Sequence, residues 1–325
     1  MNTRIMRGVI AGAAVLCLSF GVYLGACAKP TSSVTPRPAD PTGDTTRPAG
    51  GGARYVIKFD RPRTAGLRYK ATSTGRVDSS TTLNGQPLAA QAVEMTYAYE
   101  AEVTVKAVHS GGKPTRLEAK IIKLQSTQRG AARELLPRGT LVLAETAGTK
   151  EKFTVNGKLV SKDAAKVLGF VISLYGGDST NTDDVFGPGG PRNPGDSWKP
   201  NAAKLLASLK SKFKNAAIWP QPSDVTGKVT FVAARKVNGM DVLEITAQTK
   251  INNIAPAMGS VRATAGSIEI GMSGWLPRDP QVNTSDSHTM TLKMHVEGEI
   301  TKGPKTFVIV VDYDQSEKKS IAPIQ

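Results

Sequence analysis

The chain has 325 residues, a formal net charge of +15 and two cysteines. Such a length holds one large or two modest domains, and two thiols rule out the multi-bridge scaffold of a small secreted protein. The basic surplus points to anionic surfaces, a statement about solubility and partners and not about fold.

Chain order begins with Arg4 and Arg7, then an apolar run from Gly8 to Leu24, closed by Leu24-Gly25-Ala26-Cys27. A positive segment, an apolar segment and a small-residue cleavage site, in that order, make a secretory signal. Leu24, Gly25 and Ala26 before Cys27 form a lipobox, and the segment resembles the signal peptides of bacterial lipoproteins. The resemblance implies a diacylglyceryl group on the Cys27 thiol and a peptidase cut just before it. Residues 1–26 are then the signal peptide, and Cys27 is the first mature residue. Two other readings stand beside it. The apolar run approaches the ~20 residues needed to cross a bilayer uncleaved, and a plain secretory signal would be cut near Ala26 or Ala28.

Once Cys17 leaves with the signal, no second thiol remains, so an exported chain has no disulfide and Cys27 is best used for acylation. Two or three acyl chains hold a protein on a membrane where one is marginal. Ala28 stands where many inner-membrane-retained lipoproteins carry Asp, which by resemblance favours the outer membrane in a cell that has one. Without Arg4 and Arg7 the charge of +15 falls to +13. The expected partners are the membrane itself, an anionic lipid headgroup or a cell-wall polymer; export argues against nucleic acid.

From residue 27 to 54 the chain is rich in Pro, Thr and Gly and poor in large apolar groups, so it reads as a disordered tether. Beyond Tyr55 most of the sequence alternates apolar and polar residues, the pattern of antiparallel sheet with one wet face. Val103, Val105 and Ala107, a turn at residues 110–114, and Leu117, Ala119 and Ile121 predict one hairpin. Val229, Phe231 and Ala233, the turn Asn238-Gly239, and the run 242–245 predict another. Further strands are expected at 267–272, 288–300 and 306–312.

Two helices interrupt the strands. The first is capped by Ser161, runs to about Tyr175 and is stopped by Gly176-Gly177; its apolar circumference implies burial. The second runs from 201 to 214 with Leu205, Leu206, Leu209 and Phe213 on one face, flanked by Lys204, Lys210, Lys212 and Lys214. Pro62 to Tyr69 and Pro191 to Trp198 share a proline, then a glycine, then an aromatic three residues later. The pattern predicts two related halves, 55–190 and 191–325. The expected fold is therefore mainly β (α+β), curved antiparallel sheets with one buried and one basic amphipathic helix. The stretch 183–198 also resembles one recurring in bacterial envelope lipoproteins, a likeness that carries no activity.

No Gly-x-Ser-x-Gly elbow, His-Glu-x-x-His pair or phosphate loop occurs, so no catalytic residue is assigned. His109 belongs to a turn. His288, Met290 and Met294 offer soft copper ligands, but on a strand they share a face with Leu292 and Val296 and read as core. Asp178, Asp183, Asp184 and Asp196 do not have the spacing of a calcium loop. Lys204, Lys210, Lys212 and Lys214 are candidates for membrane or anionic contact. No metal and no cofactor is implied.

A sheet wrapped on an apolar helix resembles the half-barrels of bacterial lipoprotein and lipid carriers. The expected role is thus a non-catalytic, membrane-anchored envelope module binding an apolar or anionic ligand. A structural module contacting cell wall or a protein is the alternative, and an enzyme of unrecognised type the third.

Overall fold

Tyr69, Ser73, Val77 and Thr81 are buried along β1 (Arg68–Leu83), while Thr74, Arg76 and Asp78 on the other face meet water or are half-buried. A period of two thus sets an inner and an outer face from the first strand onward. The computed structural model describes residues 54–147, 150–175, 181–210, 213 and 215–324. The lipobox residues Leu24, Gly25 and Ala26, the acylation candidate Cys27 and the tether lie outside the described residues, as do Gly176, Gly177, Asp178, Lys212 and Lys214.

After β1 the chain adds β2 (Gln86–Pro87), β3 (Val93–Val108), β4 (Pro114–Gln128), β5 (Ala131–Glu134), β6 (Leu141–Ala147), β7 (Lys150–Val155) and β8 (Lys158–Leu159). Helices α1 (Lys162–Val171) and α2 (Thr182–Phe186) follow. The rest comprises β9 (Ser197–Trp198), α3 (Ala202–Lys210), β10 (Ala216–Ile218), β11 (Val225–Val237), β12 (Met240–Asn252) and β13 (Ala255–Pro256). The long strands β14 (Arg262–Pro277), β15 (Asp286–Lys302) and β16 (Lys305–Pro323) complete it.

Fourteen of these strands form one antiparallel sheet, in the order β8-β7-β6-β4-β3-β1-β16-β15-β14-β12-β11-β9, with β2 added to β1 and β5 to β4. Strand β10 pairs with β13 apart from it. The mostly β, antiparallel expectation is borne out. The register of the β1–β16 pair joins Tyr69 to Pro323 and Leu83 to Ile309, so the sheet continues across two strands that are distant in sequence.

Both predicted hairpins form. Strands β3 and β4 are linked by a turn at His109–Lys113, and β11 and β12 by Asn238 (φ 50°) and Gly239 (φ 80°). The same left-handed pair recurs at Asn84-Gly85 and Asn156-Gly157. These turns match the right-handed twist of the strands they join.

A flat sheet of twelve strands would be about 50 Å wide at the usual strand spacing. Helix α1 is about 15 Å long at 1.5 Å per residue, too short to cover such a face. Yet inner-face residues from Val142 and Ala144 on β6 to Val229 and Phe231 on β11 belong to one buried core. The sheet must therefore curl, its wings closing over the helices. Ala164, Val167, Leu168 and Phe170 of α1, Val185 and Phe186 of α2, and Leu205, Leu206 and Leu209 of α3 fill the interior.

The helix ends correct the sequence expectation. Ser161 does cap α1, its Oγ accepting from the Ala164 amide at 3.3 Å. The helix stops at Val171 and not at Tyr175, because the following backbone takes tertiary partners: the Leu174 amide donates to Glu151 Oε1 (2.9 Å) and that of Tyr175 to the Pro114 carbonyl (2.7 Å). Helix α3 is capped by Asn201 Oδ1 and is described over Ala202–Lys210; beyond it Phe213 is buried as expected, and its amide donates to the Leu209 carbonyl at 2.9 Å with helical spacing.

The two proline–glycine–aromatic segments adopt the same local geometry. Gly66 and Gly195 both have φ +87°, third in turns closed by Leu67 N to Thr64 O (3.2 Å) and Asp196 N to Asn193 O (3.0 Å). Each glycine amide then donates to a strand carbonyl, Val105 or Phe231, and the amide of that same residue returns to Leu67 O or Asp196 O, both at 2.9 Å. Positive φ is what reserves these positions for glycine.

A different constraint operates at Gly75, opposite Tyr97 on β3. A Cβ there would stand 2.4 Å from both Cζ and the hydroxyl oxygen of Tyr97, well inside van der Waals contact. Gly75→Ala is expected to destabilise the protein by about 1–3 kcal/mol through overpacking. Urea unfolding should show a lower midpoint at unchanged slope, and an unaltered midpoint would refute the packing argument.

Candidate functional site

Polar groups on the inner face gather in two places, one deep and one at an end of the sheet. The deep cluster centres on Glu317, which is 2% exposed. Ser73 on β1 donates to Glu317 Oε1 at 2.8 Å, and Lys319 Nζ lies 3.2 Å from Oε2. The same ammonium donates to the Phe170 carbonyl in the last turn of α1 at 2.7 Å. A cation at a helix C-terminus meets both an open carbonyl and the negative end of the dipole. Tyr97 stacks on Phe170 with ring centroids 5.4 Å apart, and burial, then the Glu317 carboxylate, push its phenol well above the usual range. This cluster ties α1 to the sheet.

His288 lies opposite Lys319 across the β15–β16 pair, buried, with no hydrogen-bond partner at either ring nitrogen. Met290 and Met294 are buried on the same face, as the alternation implied, whereas His295 points outward.

The second gathering surrounds an extended strap, residues 54–63, which crosses one end of the sheet. Tyr55 exchanges backbone bonds with Arg192 (2.8 and 2.9 Å), and its ring packs edge-on to Phe231. The Phe59 amide donates to Asp183 Oδ1 (2.8 Å) and the Asp183 amide to Asp60 Oδ2 (3.1 Å). Arg61 Nη1 holds the carbonyl of Asp279 on the β14–β15 loop and Nη2 that of Pro277 at the end of β14, both at 2.6 Å. Arg63 ties the strap to the β3–β4 turn through its amide and Gly112 O (2.8 Å), and its guanidinium donates to the Tyr69 hydroxyl (2.7 Å).

Strap, turn and loop enclose a cleft of about 450 Å³ lined by Lys58, Asp60, Arg61, Arg63, Lys113, Asp183 and Asp286 among others. Lys58 Nζ stands 4.0 Å from Asp183, and Lys113 Nζ 3.7 Å from Asp60. Burial, reinforced by Asp60, raises the Asp183 carboxyl above the ordinary carboxylate value despite the Phe59 amide bond. Asp286 is 4% exposed and its Oδ1 has no partner; Arg61 Nε is likewise buried and unpartnered. A partly enclosed pocket with convergent charges and unfilled hydrogen-bonding capacity fits a binding site.

A larger cleft of about 710 Å³ lies mainly along the outer face between β1, β3 and β14–β16. Its charges are exposed and largely paired with one another: Arg76 with Asp78 and Glu94, Lys293 with Asp314 at 3.3 Å, and His295 with Asp312 (2.7 Å) and Glu297 (3.1 Å). Exposed pairs of this kind contribute little and leave little unmet. The end cleft is therefore the candidate site.

Of the expected site residues, Lys204 lies 4.0 Å from Asp184, and Lys210 is exposed at the end of α3. Neither borders the end cleft, and Lys212 and Lys214 lie outside the described residues. His109 is exposed in its turn with its ring 4.4 Å from that of Tyr175. Asp183 and Asp196 bond backbone amides of Phe59 and Asn193, as loop residues do. Among the described residues no group of three or more His, Cys, Asp or Glu is placed to hold a metal. No described helix is long and apolar enough to cross a membrane. Sequence reasoning missed Arg61, Asp286, Glu317 and Lys319. The alternation of Ile309, Val311 and Tyr313, continued by twos, would have put 317 and 319 inside.

No family model matches the chain, and no curated protein matches it. Among solved structures, lipovitellin overlays with a TM-score of 0.29 at 8% identity, over 81% of this chain and 26% of that one. An outer membrane channel of Pseudomonas putida F1 gives 0.19 at 7% identity, covering 80% of this chain and 97% of the channel. OpdR of Pseudomonas aeruginosa gives 0.19 at 8%, covering 83% and 100%. The chain spans about a quarter of lipovitellin, and overlays at these scores carry no argument about its role.

Glu317→Gln removes the charge that offsets buried Lys319, and should cost about 3 kcal/mol in chemical unfolding; a loss below about 1 kcal/mol would deny the pair its anchoring role. His295 titrates above 6.5 because Asp312 and then Glu297 bond its charged ring. A raised folded value means the pairing contributes fully below pH 6.5 and is lost as pH rises through the folded value. With its side chain 43% exposed, the contribution should stay below about 1 kcal/mol. An NMR titration placing His295 at or below 6.5 would contradict the pairing.

Proposed function

We propose that this chain is an exported envelope lipoprotein, held on a membrane by acyl chains on Cys27, whose folded part binds a ligand without covalent chemistry. The supporting observation is the end cleft, where the strap, the β3–β4 turn, α2 and the start of β15 bring seven charged side chains together around unfilled donor and acceptor atoms. A lipobox followed by a Pro/Thr/Gly tether supports the anchor. Ion pairs across the outer face, such as Lys250 with Glu269 at 2.7 Å and Lys106 with Glu118 at 2.9 Å, support a domain standing in water. A lipid-facing strand surface carries an apolar band instead.

The reading sharpens the expected apolar pocket. Side chains of α1, α2 and α3 occupy the interior, so the ligand's polar head is assigned to the end cleft. In the same proposal the matched glycine turns at Gly66 and Gly195 mark two related halves, 55–190 and 191–325, merged into one sheet.

Replacing Cys27 by Ser tests the anchor. The variant should move from the membrane fraction to the soluble fraction, and mass spectrometry of the wild-type protein from its native cell should show acyl chains on residue 27. Membrane retention of the variant, or an intact precursor N-terminus, would overturn the reading.

A further inference from the structure

The end cleft presents two opposite hydrogen-bonding atoms that the protein leaves unused. Residues Asp286 and Arg61 both line the cleft, and just behind its wall Asp286 Oδ1, an acceptor, and Arg61 Nε–H, a donor, are buried without a partner. They do not satisfy each other. The nitrogens Nη1 and Nη2 of Arg61 are spent on the carbonyls of Asp279 and Pro277, which fixes the guanidinium plane. Asp286 feels the Arg61 charge without forming an ion pair with it. Buried groups of this kind are costly to leave unmade, so a site that keeps both open is built for something that supplies both complements.

The other charges of the cleft are already engaged. Asp60 is close to Lys113 and accepts from the Asp183 amide, Asp183 accepts from Phe59, and Arg63 holds Tyr69. Lys58, with its side chain 53% exposed, stands at the rim and reaches Asp183 only at 4.0 Å. The cleft thus offers a buried carboxylate for a cation and, from a fixed guanidinium and a rim ammonium, two positive groups for one anion. Behind Asp286 on the same face of β15, His288 continues the unsatisfied polar track inward.

We propose that the cleft binds an aminoalkyl phosphate, its ammonium on Asp286 and its phosphate between Arg61 and Lys58. This deepens the binding reading above and rests on it. Free phosphoethanolamine and a phosphatidylethanolamine headgroup share this chemistry, and the assay separates them. A volume of about 450 Å³ accommodates either headgroup with room for water.

The test is calorimetric titration of the full chain in detergent with phosphoethanolamine, ethanolamine and glycerol 3-phosphate. Phosphoethanolamine should bind about tenfold or more tightly than either of the others, since each supplies one half of the charge pair. Asp286→Asn should abolish that preference and leave glycerol 3-phosphate binding unchanged. Lys58→Gln should weaken both phosphate compounds and spare ethanolamine; this exposed position carries the test if the buried variant fails to fold. Equal binding of glycerol 3-phosphate and phosphoethanolamine, unaffected by Asp286→Asn, would overturn the zwitterion and leave a simple anion site at the same place. Absence of binding by all three compounds, or binding indifferent to both substitutions, would remove the cleft as a ligand site altogether. Vesicles of phosphatidylethanolamine, compared with vesicles of phosphatidylglycerol, decide the source: displacement of bound phosphoethanolamine by the former alone assigns a lipid headgroup, and no displacement by either assigns the free compound.

Discussion

The ammonium of Lys319 sits inside the curled sheet between two acceptors, the Glu317 carboxylate on its own strand and the Phe170 carbonyl at the end of α1. Ser73, on the strand paired beside it, completes the Glu317 bonds. Three elements that are far apart in sequence therefore meet through one charge. Burying that charge gains little net stability, because desolvation offsets most of the attraction. Its effect is on arrangement: a buried ion pair is satisfied in one register of β1 against β16 and in one seat of α1, and a slip of one residue would send Glu317 and Lys319 to the wet face. The rest of the interior packs around that choice, with Tyr97 stacked on Phe170 and Gly75 left without a side chain to make room.

Once α1 is fixed in this way, the end of the sheet has to be closed by something else. The strap does so by borrowing partners from four separate parts of the chain: Gly112 in the β3–β4 turn, Arg192 before β9, Asp183 in α2, and the carbonyls of Pro277 and Asp279 where β14 ends. Extended chain with no neighbouring strand leaves its amides and carbonyls without a ladder, which explains why the strap's backbone bonds go to side chains and loops. The charged residues that serve this closure also form the end cleft. Architecture and candidate site are for that reason the same set of contacts.

Strand content and both hairpins were legible because alternation and an Asn-Gly turn are local properties of the chain. The glycine turns at Gly66 and Gly195 were visible as a faint repeat, and the structure gives that repeat a shared backbone geometry. Helix ends were not legible. Gly176-Gly177 looked like the natural stop for α1, but the partners that end it, Glu151 and Pro114, come from other strands. The end cleft was hidden for a related reason. Arg61, Asp183 and Asp286 are isolated in sequence, and only the fold brings the Phe59 amide onto Asp183. Glu317 and Lys319 are hidden differently: their charge masks the period, although the alternation runs past 312 to Pro323.

A sheet that curls without closing keeps two free edges, and each exposes unpaired backbone that invites another strand. Both are blunted here by the same device. The outermost strands, β8 and β9, are two residues long, too short to template a partner, and Lys158 on one and Lys199 with Pro200 beyond the other put charge and a missing donor at the edge. At the β9 side the strap adds a further guard, since Tyr55 occupies the backbone of Arg192 and packs against Phe231 on the neighbouring β11. A closed barrel would need no such guards. The edges and the cleft are separate features of the sheet: the guards act where strand pairing stops, whereas the cleft lies at the strand ends, with walls from non-adjacent parts of the chain.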